Sequence, residues 1–316
     1  ALFMLPKPKS IKLWHSSSDK KFDTTYIIGS VEYKVTLDAI FFGSVNIKKL
    51  YYLLTRFLIK NKLWTIYVVD NNSNDGSKDV LKRWSKEGNI KYEQNIVYIQ
   101  SDKNLGYAGG NNLALRRSYA ADVDYYMVIN NDAKLKKNAI DCLLSTLQDE
   151  KIDIVGPVIL DSKTNRVQSA GKKLDLIFGR HYSYRELNVG VKKVGYVSGS
   201  CFLMKKKVID VIGFFEERFF LYTEDVEFCF RAKEGGLNVF CNTDCMVTHS
   251  SEGSINITKR DEARLYYQIR NNVLMSRLFT SRIRKFIYRL SVLARVLKKS
   301  FYFVLQLKLI SAQRLF

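Results

Sequence analysis

Five short stretches of the 316-residue chain carry residue types at spacings that suit chemistry. DNNSNDG, Asp70 to Gly76, sets a carboxylate and amides at the end of an apolar run. It is not a calcium loop, because its Gly falls one place late and Leu81 stands where the bidentate Glu belongs. Such groups at a strand end instead accept from a nucleobase or ribose, although the run alone is also an ordinary turn signal. NLGYAGGNN (104–112) has glycines at 106, 109 and 110, too loose for a dinucleotide fingerprint. Glycines opening a helix still let a diphosphate or sugar approach the backbone and the helix N-terminus. INNDA (129–133) places Asp132 beside carboxamides, a set suited to a hard divalent cation shared with substrate phosphates. LYTEDVEFCFR (221–231) packs Glu224, Asp225 and Glu227 among aromatics, where carboxylate pKa values rise as a general base requires. Acids at a helix N-terminus are equally the complement of its dipole. His249, in MVTHSSEGS, is a candidate second metal ligand, although a lone His is more often structural.

Strands and helices must position these groups. VTLDAIF (35–41), WTIYVVD (64–70), IVYIQS (96–101) and YYMVIN (125–130) predict buried strands, and FCNTDCMV predicts another just before His249. Helices are predicted from Asn46 (NIKKLYYLLTRFLIKN), over KDVLKRWSKEG to Gly88, and from near Gly109. Strands alternating with helices predict a parallel sheet covered on both faces. Ligands of such sheets bind beyond the carboxyl ends of the strands, where Asp70, Asn104 and Asp132 fall.

The chain carries 51 Lys plus Arg against 31 Asp plus Glu, a formal charge of +20, with 47% hydrophobic residues, 3 Pro and 17 Gly. That composition excludes low-complexity disorder. From residue 259 onward there are fourteen basic and two acidic residues, so +12 of the charge lies in the tail. There Ile283, Phe286, Ile287, Leu290, Leu293, Ala294, Leu297, Phe301, Val304 and Leu305 keep the spacing of one helical face, with Arg282, Lys285, Arg289, Arg295, Lys298 and Lys299 elsewhere. A helix lying on an anionic membrane has this composition; a helix packed on the catalytic domain with a solvated basic face is the alternative. Nucleic acid fits the charge, yet no zinc finger, RNP signature or basic-zipper pattern accompanies it. No run of about 18 apolar residues predicts a membrane-spanning helix, and ALFMLPKPKS lacks the pattern of a secretory signal. The five cysteines, scattered and odd in number, are expected to be reduced cytosolic thiols, and zinc at Cys241, Cys245 and His249 lacks a fourth ligand.

Taken in order, DNNSNDGS, NLGYAGGNN, INNDA, VQSAGKKLDL, the segment from Val197 to Gly236, VTHSSEGS and YYQIRNN resemble a family 2 glycosyltransferase of the GT-A fold, in the bacterial rhamnosyltransferase-like branch. The resemblance spans about residues 35 to 275. It implies a Rossmann-like α/β domain at 35–258, a mostly parallel sheet flanked by helices. An N-terminal extension (1–34) precedes it, and a basic amphipathic helical tail (259–316) that associates with membrane follows. It also implies inverting, metal-dependent transfer of a sugar, rhamnose from dTDP-rhamnose with UDP-hexoses the open alternative, from a nucleotide-sugar to a lipid-linked oligosaccharide for surface polysaccharide, at the inner face of the cell membrane. By the same resemblance Asp225 is the general base with Glu224 beside it. Asp70, Asn104, Gly109, Asn131 and Asp132 lie toward the donor, and Ser44 stands in for the family's nucleobase-binding Tyr-Asn pair. Gly199 and Ser200 line the acceptor side, and Asp132 and His249 hold Mg or Mn. Asn130 replaces the first Asp of the metal motif. A catalytically inactive binding module of the same fold, scaffolding partners at the membrane, is the alternative.

Overall fold

The computed structural model describes residues 2–4, 34–41, 64–73, 96–120, 123–250 except 176, 178 and 188, 257–279 and 281–313. Ser44, the segment 15–33 and the two helices expected between Asn46 and Gly88 lie outside them.

Strands β1 (Leu2–Met4), β2 (Lys34–Phe41), β3 (Trp64–Asp70) and β4 (Ile96–Gln100) precede helix α1 (Gly106–Tyr119). Then come β5 (Tyr125–Asn130), β6 (Ala133–Leu135), α2 (Ala139–Leu147), β7 (Ile154–Asp161), β8 (Val167–Ser169), β9 (Lys172–Asp175), β10 (Arg180–Ser183) and β11 (Val191–Lys193). β12 (Cys201–Lys205), α3 (Lys206–Ile212), α4 (Glu224–Glu234), β13 (Val239–His249), α5 (Ile257–Met275) and α6 (Arg282–Gln313) follow. Four strands predicted from apolar runs thus form within a residue of their expected limits. Helix α1 starts three residues earlier than expected, at Gly106, whose φ of +69° turns the chain into it. A Cβ there would lie 2.1 Å from the Phe220 carbonyl oxygen, so both conformation and space demand glycine.

The sheet is mixed. β4, β3, β2 and β5 run parallel, with Phe41 opposite Asp70, Asp70 opposite Gln100 and Ile40 opposite Asn130, so their carboxyl ends lie side by side. The strand–helix alternation that argues for parallel pairing stops after β5: β12 inserts antiparallel between β5 and β7, and β13 then pairs parallel with β7. Because Cys201 opposes Ile129, the turn leading into β12 sits over the carboxyl end of β5. Ile66, Val68, Met127, Ile129, Val155, Leu203 and Val247 bury one sheet face against Leu143, Leu144 and Leu147 of α2. At about 25 cal/mol per Å² of apolar area removed from water, this burial is the main force holding the strand ends in register.

Two compact units result, one of residues 1–173 and 183–255, the other of 174–182 and 256–316. The second combines the basic tail with a short central segment whose membership its sequence does not signal.

The cysteine expectation is corrected. Cys142 of α2 and Cys245 of β13 form a disulfide, their Cα atoms 5.7 Å apart, while Cys201, Cys229 and Cys241 are free and buried. A separation of 103 residues hides this pairing from sequence spacing; packing of α2 on β13 creates it.

Candidate active site

At the end of β3, Asp70 is fully buried. Its Oδ1 accepts the Ser73 N–H at 2.8 Å, and its Oδ2 meets no donor among the described residues. Beside it, Asn71 uses its whole amide: Oδ1 accepts the Leu105 N–H at 2.9 Å, and Nδ2 donates to the Gly106 carbonyl at 3.0 Å and to Asn104 Oδ1 at 3.2 Å. Asn104 Oδ1 in turn accepts the Gly106 N–H at 2.9 Å. Asn71, absent from the expected site, therefore clamps the loop that opens α1 to the strand end bearing Asp70. Gly109 lies within the first turn of α1, with the Leu105 side chain where its own Cβ would be.

At the end of β5, Asn131 and Asp132 are partly buried. The antiparallel pairing of β6 and β13 sets His249 opposite Ala133, which brings His249 Nε2 to 3.1 Å from Asp132 Oδ1. Asn130 Oδ1 is buried without a partner among the described residues. One carboxylate and one imidazole fit a divalent cation that keeps positions for water and phosphate oxygens. Among the described residues no cluster of three or more His, Cys, Asp or Glu competes with this pair.

Opposite stands the N-terminus of α4. Tyr222 and Thr223, just before it, both adopt left-handed backbone with φ of +64° and +74°. Such residues cost about 1–3 kcal/mol each and cluster where geometry serves function. The helix is held by Phe228, stacked on Phe215 at 4.3 Å, and by Arg231, which pairs with buried Glu227 and donates to the Ile212 and Phe214 carbonyls. Asp225 Oδ2 accepts the Gly199 N–H at 3.1 Å and its Oδ1 the Val226 N–H at 2.8 Å. Glu224 is buried, its Oε2 without a donor among the described residues. Burial, then the neighbouring Asp225 charge, push its pKa well above the ordinary carboxylate range, with Lys172 opposing weakly. Burial raises the Glu227 carboxyl too, with its hydrogen bond to Arg231 opposing.

The turn Ser198–Gly199–Ser200 joins these halves. The Asn130 N–H donates to the Ser200 carbonyl at 2.9 Å on one side, and Gly199 reaches Asp225 on the other. Tyr107 of α1, another residue outside the expected site, donates its hydroxyl to the Gly199 carbonyl at 2.5 Å. Burial, then the charges of Glu224 and Asp225, raise its pKa and keep it a donor. A Cβ on Gly199 would fall 2.9 Å from that hydroxyl, so the turn has no room for a side chain. The arrangement offers a buried strand-end carboxylate, a carboxylate–imidazole pair and a positioned carboxylate pair around one turn. Ser44 lies outside the described residues.

Residues 46–213, more than half of the chain, match the family model described as glycosyl transferase family 2. The chain is 29% identical over 215 residues to the low-salt glycan biosynthesis hexosyltransferase Agl10 of Haloferax volcanii, covering 66% of each. To the N-acetylglucosaminyl-diphospho-decaprenol L-rhamnosyltransferase of Mycobacterium tuberculosis it is 27% identical over 241 residues, 66% of this chain and 75% of that protein. To the dTDP-rhamnosyl transferase RfbF of Shigella flexneri it is 24% identical, covering 73% and 76%. The chain thus spans about two thirds to three quarters of the length of these relatives. Mannosyltransferase PcManGT of Pyrobaculum calidifontis, solved with GDP-Man and Mn2+, superposes with a TM-score of 0.54 at 13% identity, covering 89% of this chain and 80% of that one. GalNAc-T7, solved with UDP, GalNAc and Mn2+, gives 0.56 at 12% identity, covering 69% and 44%. These two likenesses are of fold, the GT-A arrangement of a central sheet between helices. The motifs, the strand-end site and the family match agree, and the chain belongs to glycosyl transferase family 2.

Proposed function

We propose that this chain is an inverting glycosyltransferase that moves rhamnose from dTDP-rhamnose to a lipid-linked oligosaccharide in surface polysaccharide synthesis, as a peripheral protein on the inner face of the cell membrane. The observation that carries the chemistry is the 198–200 turn. By accepting the Asn130 N–H at the Ser200 carbonyl and donating the Gly199 N–H to the Asp225 carboxylate, it ties Asn130, two residues before Asp132, to Asp225. A base and a cation site held on one rigid turn can act on opposite sides of an anomeric carbon.

Asp225 takes the proton of an acceptor hydroxyl while that oxygen's electron pair bonds to the anomeric carbon. The bond to the diphosphate breaks on the opposite face and its pair leaves with the nucleoside diphosphate, inverting the centre. Buried Glu224, held neutral, offers a hydrogen bond to a sugar hydroxyl. Asp70, Asn104 and Asn131 bind and orient the donor. When bound, Mg or Mn supplies charge that neutralises the departing diphosphate; Asp132 and His249 would hold it. The activities for which the Mycobacterium and Shigella relatives are named support rhamnose and, for the former, a polyprenyl-diphosphate-linked acceptor. Incubation with dTDP-rhamnose and a polyprenyl-diphosphate-linked sugar tests the reading: a rhamnosylated lipid with inverted configuration is expected. Its absence, with dTDP failing to raise the melting temperature, would reject the donor.

A further inference from the structure

Helix α6 has two opposite faces. Tyr288 and Val292 are buried on one. The Tyr288 hydroxyl donates to Asn272 Oδ1 at 2.9 Å, and its ring meets Phe279 edge-on at 5.0 Å. A Cβ on Gly179 would lie 2.7 Å from that ring, and Arg295 donates to the Gly179 carbonyl at 2.5 Å. At about 100° per residue, the opposite face carries Ile283, Phe286, Leu290, Leu293 and Leu297, which are 72, 66, 54, 53 and 60% exposed. α6 leaves this apolar stripe uncovered along with basic Arg282, Arg284, Arg289 and Lys298. Contiguous apolar surface of this kind marks an interaction site.

The charges select the occupant. Residues 282–298 hold six cations and no carboxylate. On the helical wheel exposed Arg282 and Arg289 border one margin of the stripe, exposed Arg284 and Lys298 the other. A second copy of the same stripe would bring these cations together with no acid to pair them. An anionic bilayer accepts both features, apolar side chains at the acyl boundary and cations among headgroups. No described helix is long and apolar enough to cross a membrane.

We infer that α6 docks this protein in the plane of an anionic phospholipid surface through Ile283, Phe286, Leu290, Leu293 and Leu297. The inference deepens the peripheral-membrane part of the reading above and rests on it. Co-flotation of the full chain with vesicles of phosphatidylcholine, alone or mixed with phosphatidylglycerol, is the test. Binding about tenfold tighter to the mixed vesicles is expected, weakening as salt rises. Phe286→Glu/Leu290→Glu should lower that binding about tenfold or more with its melting temperature kept, since both side chains are exposed. Equal binding to both vesicles, or undiminished binding by the folded double variant, would overturn the inference. So would a vesicle-free dimer of the parent that the double variant splits. Stabilisation by dTDP, measured on the same samples, reports separately on the transfer reading.

Discussion

His249 Nε2 lies 3.1 Å from Asp132 Oδ1, a contact created by the antiparallel ladder of β6 and β13 rather than by nearness in the chain. In the proposed reaction this pair would supply two ligands to a divalent cation, with Asn130 standing where the resembled metal motif has an acid.

Chelation by EDTA should therefore stop transfer, and added Mn or Mg should restore it. His249→Ala should raise the metal concentration giving half-maximal rate by at least about tenfold, since even groups that only support metal ligands matter by roughly ten- to a hundredfold. Metal titrations of turnover check this; full activity in EDTA would remove both residues from the role.

Glu224 yields a pH signature. Burial holds its folded-state pKa above the ordinary 4.5. Below that ordinary value both states are protonated and nothing is lost. As pH rises toward the folded value only the unfolded chain ionises, so stability falls, and the loss is complete above it. Glu224→Gln removes this effect. Its melting temperature relative to the parent should climb as pH rises above the ordinary 4.5, toward the raised folded-state value. A constant difference in calorimetry would mean the carboxyl is not held neutral.

Tyr107→Phe deletes one hydrogen bond to the Gly199 carbonyl and leaves the ring packed edge-on against Phe215. With about 1 kcal/mol for such a bond, kcat should fall about fivefold with the donor KM unchanged. A change confined to KM would assign Tyr107 to binding rather than to holding the turn.

Gly106→Ala should destabilise the fold by about 3 kcal/mol or more, because its Cβ would meet the Phe220 carbonyl at 2.1 Å in a left-handed backbone. Denaturant titration reads the loss.

The sequence shows well whatever is local. Apolar runs located β2, β3, β4 and β5, and the polar residues after them pointed to Asp70 and Asp132 because the end of a parallel strand is a place in sequence as well as in space. What sequence does not show is set by long-range packing. The antiparallel entry of β12 put Gly199 beside Asp225, α2 against β13 joined Cys142 to Cys245, and α1 brought Tyr107 under the turn. Asn71 reads in DNNSNDG as one more turn amide, and only the fold shows it buried and bonded to the loop that opens α1. For α6 the amphipathic spacing was legible, but which face lies uncovered required knowing where Tyr288 packs.

The central claim is that Asp225 removes the acceptor proton. Asp225→Asn keeps shape and burial, so the variant should bind dTDP like the parent while its turnover at saturating donor drops about a thousandfold, the scale of general-base catalysis. A variant that folds, binds dTDP and turns over within about tenfold of the parent would contradict the account.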